Sequence, residues 1–158
     1  MPVAAIALGS NLSSRFGNRA QNLEEAIGRL ATLGTVGARS TFFDTEPVGL
    51  LEQPRFLNAA VLLETVLLPL DLLFAMLSIE RAMGRQREGV PPKGPRIIDL
   101  DLLYYDQVVL TLPALTLPHP AIADRVFVLA PLAEIAPAWL DPHTDLTVAE
   151  MLARIQLT

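Results

Sequence analysis

The segment Ile98–Leu103 places apolar and acidic side chains at alternating positions. Ile98, Leu100 and Leu102 share one parity, whereas Asp99, Asp101 and Leu103 share the other. Successive side chains of a β-strand point to opposite faces of its sheet, so the pattern predicts a strand with one apolar face and one face bearing two carboxylates. A Gly-Pro pair and Arg96 come just before it, and this pair excludes a continuous helix.

Asp99 and Asp101 are close enough in such a strand to bind one divalent cation together, or to bridge two. Two strand rises put their Cβ atoms about 6.5–7 Å apart. Asp is disfavoured in strands, and rigidly held carboxylates suit Mg²⁺, which takes one or two carboxylates together with phosphate oxygens. The alternative is an ordinary strand whose polar face meets water.

Composition limits the classes of protein to consider. The 158 residues fit one domain, 1–158, and the net charge of −5 argues against non-specific nucleic-acid binding. The chain has no Cys, which excludes disulfides and thiol chemistry. No secretion signal is visible, and the apolar stretch Leu62 to Ile79 contains Glu64, Pro69 and Asp71, which excludes a membrane span. We therefore expect a cytoplasmic protein.

The order of predicted elements indicates an α+β fold with a ferredoxin-like βαββαβ core, in which a mainly antiparallel sheet has helices packed on it. The predicted strands are Val3–Leu8, Val36–Phe43, Phe56–Thr65, Ile97–Tyr105 and a short one at Val108–Leu110. The predicted helices run from an Asn18 cap towards Gly34, from Pro69 to Met83, from Val126 to Ile135, and from a Thr147 capping box to Ile155.

Positive charge is concentrated between Glu80 and Arg96. The cationic residues of this segment are Arg81, Arg85, Arg87, Lys93 and Arg96. Gly and Pro fill the same segment, as is typical of a loop that moves over a ligand. Next to the two acids, the loop fits a metal–polyphosphate site in which Arg side chains bind the phosphate oxygens. The alternative is a solvated charged loop.

Further polar and aromatic residues have both a binding and a structural interpretation. His119, fixed between two prolines, fits a phosphate donor or nucleotide contact with Arg125, or a structural role. Asn58, inside a strand, could bind the edge of a heterocycle or the backbone. Phe56 and Phe127 could stack on a flat ring or fill the core. A glycine-rich phosphate loop is absent, so side chains would bind the phosphates.

Gly94–Leu103 closely resembles the signature of the 6-hydroxymethyl-7,8-dihydropterin pyrophosphokinases, enzymes of folate biosynthesis. Further matching pieces follow in the same order along almost the whole chain. They are Leu8–Leu12, Thr45–Gly49, Phe56–Val61, Ile79–Glu80, Gly84–Arg87, Leu117–His119 and Arg125–Phe127.

The resemblance implies transfer of the pyrophosphoryl group of ATP to the hydroxymethyl group of the pterin, with AMP as the other product. It implies two Mg²⁺ ions held by Asp99 and Asp101. Two metals suit an in-line displacement because the attacking and leaving oxygens both need their charge neutralised. The sequence departs from the family at Lys93, where many members have Trp, so loop closure and pterin affinity are expected to differ.

The resemblance also implies a role for each matching side chain. The catalytic set is Arg85, Arg87, Arg96, Asp99 and Asp101. The nucleotide side comprises Glu80, Arg85, Arg96, Ile98, His119 and Arg125. The pterin side comprises Thr45, Pro47, Val48, Phe56, Asn58, Asp99 and Phe127.

Two other functions compete with a pyrophosphokinase. A non-catalytic metal- or nucleotide-binding module would use Asp99 and Asp101 for binding only, and a metal phosphohydrolase would use water in place of the alcohol. The complete set of pterin-side residues weighs against the first, and no residue obviously positions a water for the second. We expect ATP and the pterin as the partners and a monomeric protein.

Overall fold

The computed structural model describes residues 1–47, 52–85 and 94–156. The main sheet contains β1 (Val3–Ser10), β2 (Thr35–Arg39), β3 (Phe43–Thr45), β4 (Phe56–Glu64) and β5 (Asp99–Tyr105). The helices of the described part are α1 (Arg19–Leu30), α2 (Pro69–Ala82), α3 (Val126–Ile135) and α4 (Val148–Gln156). A separate hairpin consists of β6 (Leu110–Thr111) and β7 (Thr116–Leu117).

The strand order confirms the predicted ferredoxin-like core. The sheet runs β2-β4-β1-β5, each neighbouring pair is antiparallel, and β3 pairs with β4. The elements follow one another as strand, helix, two strand segments, strand, helix and strand. This is the split βαβ arrangement expected from the sequence.

Local signals explain where the helices begin and end. Asn18 caps α1 through a capping box with Gln21, and Thr147 does the same for α4 with Glu150. After α2, Gly84 adopts a φ of +95°, a conformation that glycine enters without the steric cost of a Cβ.

The prediction of one continuous strand over Val36–Phe43 is wrong. The chain instead forms β2 and β3, which are separated by residues 40–42, and both pair with β4. The Ser40 hydroxyl accepts the Ala60 N–H while the Ser40 N–H donates to the Ala60 carbonyl. A side chain therefore replaces a backbone partner at this point and interrupts the ladder. The short strand predicted at Val108–Leu110 is shifted to β6, which pairs with β7, a strand that the sequence did not predict.

The two faces of the sheet carry two separate apolar clusters. On the first face, Ile6, Leu8 and Leu100 pack with residues of α1 and α2. On the second face, Ala7 and Ala60 pack with residues of α3 and α4. The sheet therefore lies between two helical layers, and both of its faces are used. Among the described residues, no helix combines the length and apolarity needed to cross a membrane.

Candidate functional site

Two rows of paired residues cross β4, β1 and β5 at one end of the second face. Asn58 pairs with Gly9, and Gly9 pairs with Asp99. In the next row, Ala60 pairs with Ala7, and Ala7 pairs with Asp101. The predicted alternation is therefore observed: Ile98, Leu100 and Leu102 enter the first cluster, and the acids lie on the opposite side. Because Gly9 and Ala7 of β1 have small side chains, the sheet surface beside both carboxylates is open.

Asp99 is held by two guanidinium groups. Arg85 Nη1 lies 2.8 Å from Asp99 Oδ1, and Arg96 Nη1 lies 3.1 Å from Asp99 Oδ2. Arg85 Nη1 also lies 2.6 Å from an oxygen of Glu80. Burial alone would lower the pKa of Arg85, but the charges of Asp99 and Glu80 outweigh burial and raise that pKa. Arg85 therefore stays charged between the two carboxylates.

Asp101 lies in a different charge environment. Its nearest ion-pairing neighbour among the described side chains is His119, with Nε2 3.9 Å from Asp101 Oδ1. Burial and the adjacent Asp99 charge raise the pKa of Asp101 to about 7, although Arg125 and Arg85 oppose the shift. Within residues 1–47, 52–85 and 94–156, no guanidinium group contacts Asp101 as closely as Arg85 and Arg96 contact Asp99.

His119 is a poor source of that missing positive charge. Burial and the nearby Arg125 lower the pKa of His119, against the opposing effect of Asp99. Its Nδ1 accepts the N–H of Ala121, which assigns the proton of the neutral ring to Nε2, the atom facing Asp101. His119 is therefore suited to donate a hydrogen bond at this site as a neutral group.

Glu80 and His119 also bind the backbone of β5. The Glu80 carboxylate accepts the N–H of Leu100 at 2.8 Å, and the backbone N–H of His119 donates to the Leu103 carbonyl at 2.9 Å. Glu80 is only 2% exposed, so its contacts are to the protein interior and to Arg85. The position of Arg85 in front of Asp99 consequently depends on Glu80.

The donor set fits Mg²⁺ better than a metal with an all-protein shell. Within residues 1–47, 52–85 and 94–156, no group of three or more His, Cys, Asp or Glu side chains is placed to hold a metal ion by itself. Asp99 and Asp101 supply two carboxylates on one strand face, beside guanidinium groups that can bind phosphate. Mg²⁺ is commonly bound in this way, with water and substrate phosphates completing its octahedron.

A cleft opens beside Asp99 between the sheet and the start of α3. Its lining residues are Gly9, Thr45, Glu46, Phe56, Asn58, Arg96, Asp99, Arg125 and Phe127. Phe56 and Phe127 are each half-buried, and the Asn58 amide donates to the Thr45 hydroxyl. The guanidinium of Arg96 lies 5.3 Å from the centre of the Phe56 ring. The cleft thus combines aromatic surfaces, an amide and charged groups, as a flat polar heterocycle requires.

Some residues implied by the resemblance do not line this cleft, and others fall outside the described part of the chain. Ile98 is fully buried in the first cluster, so its side chain faces the core. Pro47 is buried at the end of a described segment. Val48 and Arg87, together with Lys93, lie outside the described residues.

Sequence reasoning assigned no role to Gly9, Glu46 or Asn11. Gly9 forms the floor of the cleft, and an added Cβ would lie 3.0 Å from Asn58 Oδ1. Glycine within an apolar strand can indicate such a close approach, and this was the available signal. Asn11 is 2% exposed and bonds to the backbone of Arg96, a contact that no sequence spacing indicates.

Comparison with known proteins identifies relatives along most of the chain. Residues 5–137 match the family model 7,8-dihydro-6-hydroxymethylpterin-pyrophosphokinase. A Methylorubrum extorquens 2-amino-4-hydroxy-6-hydroxymethyldihydropteridine pyrophosphokinase is 47% identical over 157 residues, covering 98% of this chain and 94% of the relative. The Bacillus subtilis protein of that name is 42% identical over 135 residues, covering 84% of this chain and 77% of the relative.

Other relatives are much longer than this chain. The chain spans 26% of an Arabidopsis thaliana folate synthesis bifunctional protein, to which it is 44% identical over 131 residues, 82% of this chain. A crystal structure of Plasmodium falciparum HPPK-DHPS with pteroate matches with a TM-score of 0.75 at 15% identity. That match covers 97% of this chain and 42% of the Plasmodium chain, and it supports the fold. The family match and the two bacterial relatives place this chain in the 7,8-dihydro-6-hydroxymethylpterin-pyrophosphokinase family.

Proposed function

We propose that this chain uses Asp99 and Asp101, with bound Mg²⁺, to carry out the pyrophosphoryl transfer of its family. As a member of that family it is an ATP-dependent pyrophosphokinase. The pyrophosphoryl group of ATP passes to the hydroxymethyl group of 6-hydroxymethyl-7,8-dihydropterin, and AMP leaves. The product is the pterin pyrophosphate of folate biosynthesis.

The observation that carries the proposal is the unequal pair of carboxylates on β5, of which Asp99 lines the cleft. Asp99 has two guanidinium partners, whereas Asp101 has none within salt-bridge distance among the described side chains. Two anionic groups on one strand face repel each other, and a cation beside Asp101 removes that repulsion. Asp99 and Asp101 would hold two Mg²⁺ ions, which would neutralise charge on the phosphates and on the attacking and leaving oxygens.

The described cationic groups are arranged to bind the phosphate chain of ATP. Arg85 and Arg96 point at Asp99 and would exchange part of this contact for phosphate oxygens when the nucleotide arrives. His119 would donate from Nε2, and Arg125 would add charge at the cleft. Glu80 would act by holding Arg85 rather than by touching the nucleotide. We assign Arg87 a phosphate role, and Ile98 could contact the nucleotide only through its backbone.

The cleft residues would bind and orient the pterin. Phe127 and Phe56 offer ring faces, and Asn58 with Thr45 offers amide and hydroxyl groups to the heterocycle edge. Pro47 and Val48 would complete this side. The pterin alcohol would then approach the phosphates at Asp99, which lines the same cleft. Holding both reactants in one cleft supplies much of the acceleration expected for this class of transfer.

The remaining features of the proposal concern the whole protein. We propose that residues 1–158 form one pyrophosphokinase domain that acts as a monomer in the cytoplasm. The cleft and both carboxylates come from one chain, which supports a site complete without a second copy. The net charge of −5 supports small-molecule partners rather than nucleic acid.

Nucleotide product analysis tests the proposal directly. The protein is incubated with Mg-ATP, with and without 6-hydroxymethyl-7,8-dihydropterin, and the nucleotides are separated by anion exchange. Pterin-dependent AMP is the expected result. ADP would indicate single phosphoryl transfer or hydrolysis and would contradict the proposal. Metal-dependent ATP binding without product would favour a non-catalytic binding module.

A further inference from the structure

Asn11 joins two segments that approach the cleft from different parts of the chain. Its Nδ2 donates to the Pro54 carbonyl at 3.0 Å and to Gln53 Oε1 at 2.9 Å. Its Oδ1 accepts the N–H of Arg96 at 2.8 Å, and its own N–H donates to the Arg96 carbonyl at 3.1 Å. The side chain is buried and is not part of the cleft lining. Asn11 therefore acts on the cleft only through its neighbours.

The two segments held by Asn11 serve different halves of the cleft. Arg96 contacts Asp99 on the phosphate side. Pro54 is two residues before Phe56, which begins β4 and supplies a ring on the heterocycle side. The Arg96 guanidinium also lies over that ring. The two halves are therefore connected twice, once through the hydrogen bonds of Asn11 and once through the contact of Arg96 with the Phe56 ring.

Hydrogen bonds to α1 hold the residues on either side of Asn11 in the sequence. Asn22 of α1 is fully buried, and its Nδ2 donates to the Leu12 carbonyl at 2.7 Å and to the Ser10 hydroxyl at 3.2 Å. The residues before and after Asn11 are therefore fixed to the first helix. A buried amide with satisfied donors and acceptor cannot shift towards one segment without losing its bonds to the other.

We propose that Asn11 is a positioning residue that couples the two substrate sites. A nucleotide whose phosphates fix Arg96 also fixes, through Asn11, the segment that leads into Phe56. The heterocycle then binds to a surface that is already ordered, so its affinity rises. By linkage, the heterocycle raises nucleotide affinity by the same factor. This inference rests on the proposed function, because it takes Arg96 as a phosphate contact and Phe56 as a heterocycle contact.

Isothermal titration calorimetry of the full chain measures this coupling. The Kd of 6-hydroxymethyl-7,8-dihydropterin is determined with and without saturating Mg²⁺ and α,β-methylene-ATP, in which the bond broken during transfer is replaced. We expect the analogue to lower the wild-type Kd at least about tenfold, a coupling within the usual range. In Asn11→Ala the ratio of the two Kd values should fall to near one.

Two further variants separate coupling from general loss of stability. Thr65→Val removes a fully buried hydroxyl that bonds to the Leu33 carbonyl and the Leu67 N–H just beyond the other end of β4. It should destabilise the fold and leave the Kd ratio at the wild-type value. Gln53→Ala removes one of the hydrogen bonds of Asn11 from a half-buried position, and it should stay folded and reduce the ratio partially.

The Kd ratios of the wild type and the variants decide whether Asn11 couples the two sites. An unchanged Kd ratio in both Asn11→Ala and Gln53→Ala would overturn the coupling role, and a wild-type ratio of one would do the same. If Asn11→Ala does not fold, the Gln53→Ala ratio decides. Wild-type protein that binds no pterin under either condition would overturn the proposed function together with the inference.

Discussion

Strand β1 presents side chains of very different size to the two faces of the sheet. Under α1 and α2, β1 and β5 present Ile6, Leu8, Leu100 and Leu102, which are all buried in one cluster. On the opposite face β1 presents Ala5, Ala7 and Gly9. The large side chains fill the space between sheet and helices, whereas the small ones leave room above the sheet.

The difference shows how one strand can serve packing and chemistry together. Asp99 and Asp101 gain fixed positions because Leu100, between them, is 6% exposed and anchored in the first cluster. The second face can then tolerate two neighbouring carboxylates and a cleft, although both reduce stability. If this division is correct, substitutions on the first face change mainly stability, and substitutions at the small, acidic end of the second face change mainly activity.

Replacing Asp101 with Ala is the strongest test of the second face. We expect turnover to fall by at least about 1,000-fold, because a carboxylate that holds Mg²⁺ at the developing phosphate charge is lost. The fold should be no less stable, since the variant removes a carboxylate that burial disfavours. AMP formation and thermal unfolding of the same preparation measure the two effects. Turnover close to that of the wild type in a folded, Mg²⁺-binding variant would exclude Asp101 from the mechanism.

Replacing Leu8 with Ala tests the first face in the same strand. Leu8 is 2% exposed, and the cavity should lower the free energy of unfolding by about 2–5 kcal/mol. Its side chain points away from the cleft, so kcat of the folded enzyme should stay near the wild-type value. Urea denaturation and initial rates at low temperature provide the measurements. A large loss of kcat at unchanged stability would break the proposed division between faces.

The pH dependence of stability tests the charge imbalance at Asp101. Its folded-state pKa of about 7 lies above the ordinary value of 3.8, so the folded protein binds this proton more tightly than the unfolded chain does. This contribution is full below pH 3.8 and is lost as the pH rises through 7. The stability advantage of Asp101→Asn over the metal-free wild type should therefore grow by about 1–2 kcal/mol between pH 5 and pH 8, after allowance for solvent screening.

Urea denaturation with EDTA, at pH 5 and pH 8, measures that difference. Adding Mg²⁺ at pH 8 should stabilise the wild type and have less effect on Asp101→Asn, because the metal takes the place of the proton. A constant difference between variant and wild type across this pH range would mean that Asp101 is already neutralised by the protein.

Replacing Gly9 with Ala is the mildest test of the cleft floor. The new methyl would lie 3.0 Å from Asn58 Oδ1 and 3.7 Å from Phe56 Cδ1, so Asn58 must shift. We expect the pterin KM to rise about tenfold, the effect of a misplaced methyl group in a binding pocket, with a smaller change in kcat. Gly28→Ala is the control, because an added Cβ in α1 meets nothing within 4 Å. It should leave KM unchanged and raise stability by about 0.5–1 kcal/mol.

The parts of the fold that were predicted correctly depend on local chemistry. Alternation along Ile98–Leu102 identifies both faces of β5, because side-chain direction in a strand has a period of two. The alternation continues to Leu103 and fails at Tyr104, which enters the second cluster together with Leu103, because the register with β1 shifts between Ala5 and Ile6. A bulge depends on the partner strand, so the sequence of β5 alone does not reveal it.

The candidate site divides in the same way. The acids on β5 and the cationic segment before them could be recognised from residue type and spacing. The sequence did not indicate that Arg85 lies between Glu80 and Asp99, or that the guanidinium groups in the described part of the chain are not close to Asp101. These contacts join residues on different elements, and only the packing of α2 against β5 brings Glu80 to Leu100. The different charge environments of the two acids follow from that packing.

The contacts of Glu80 and His119 with β5 have a consequence for the protein in concentrated solution. β5 is the outermost strand on its side of the described sheet, and its outer backbone groups could pair with a strand of another molecule. The Leu100 N–H already donates to the Glu80 carboxylate, and the Leu103 carbonyl already accepts the backbone N–H of His119. Glu80→Ala should therefore increase self-association, measurable by light scattering, as well as impair Arg85. Two residues beside the reacting groups thus also protect the sheet from aggregation.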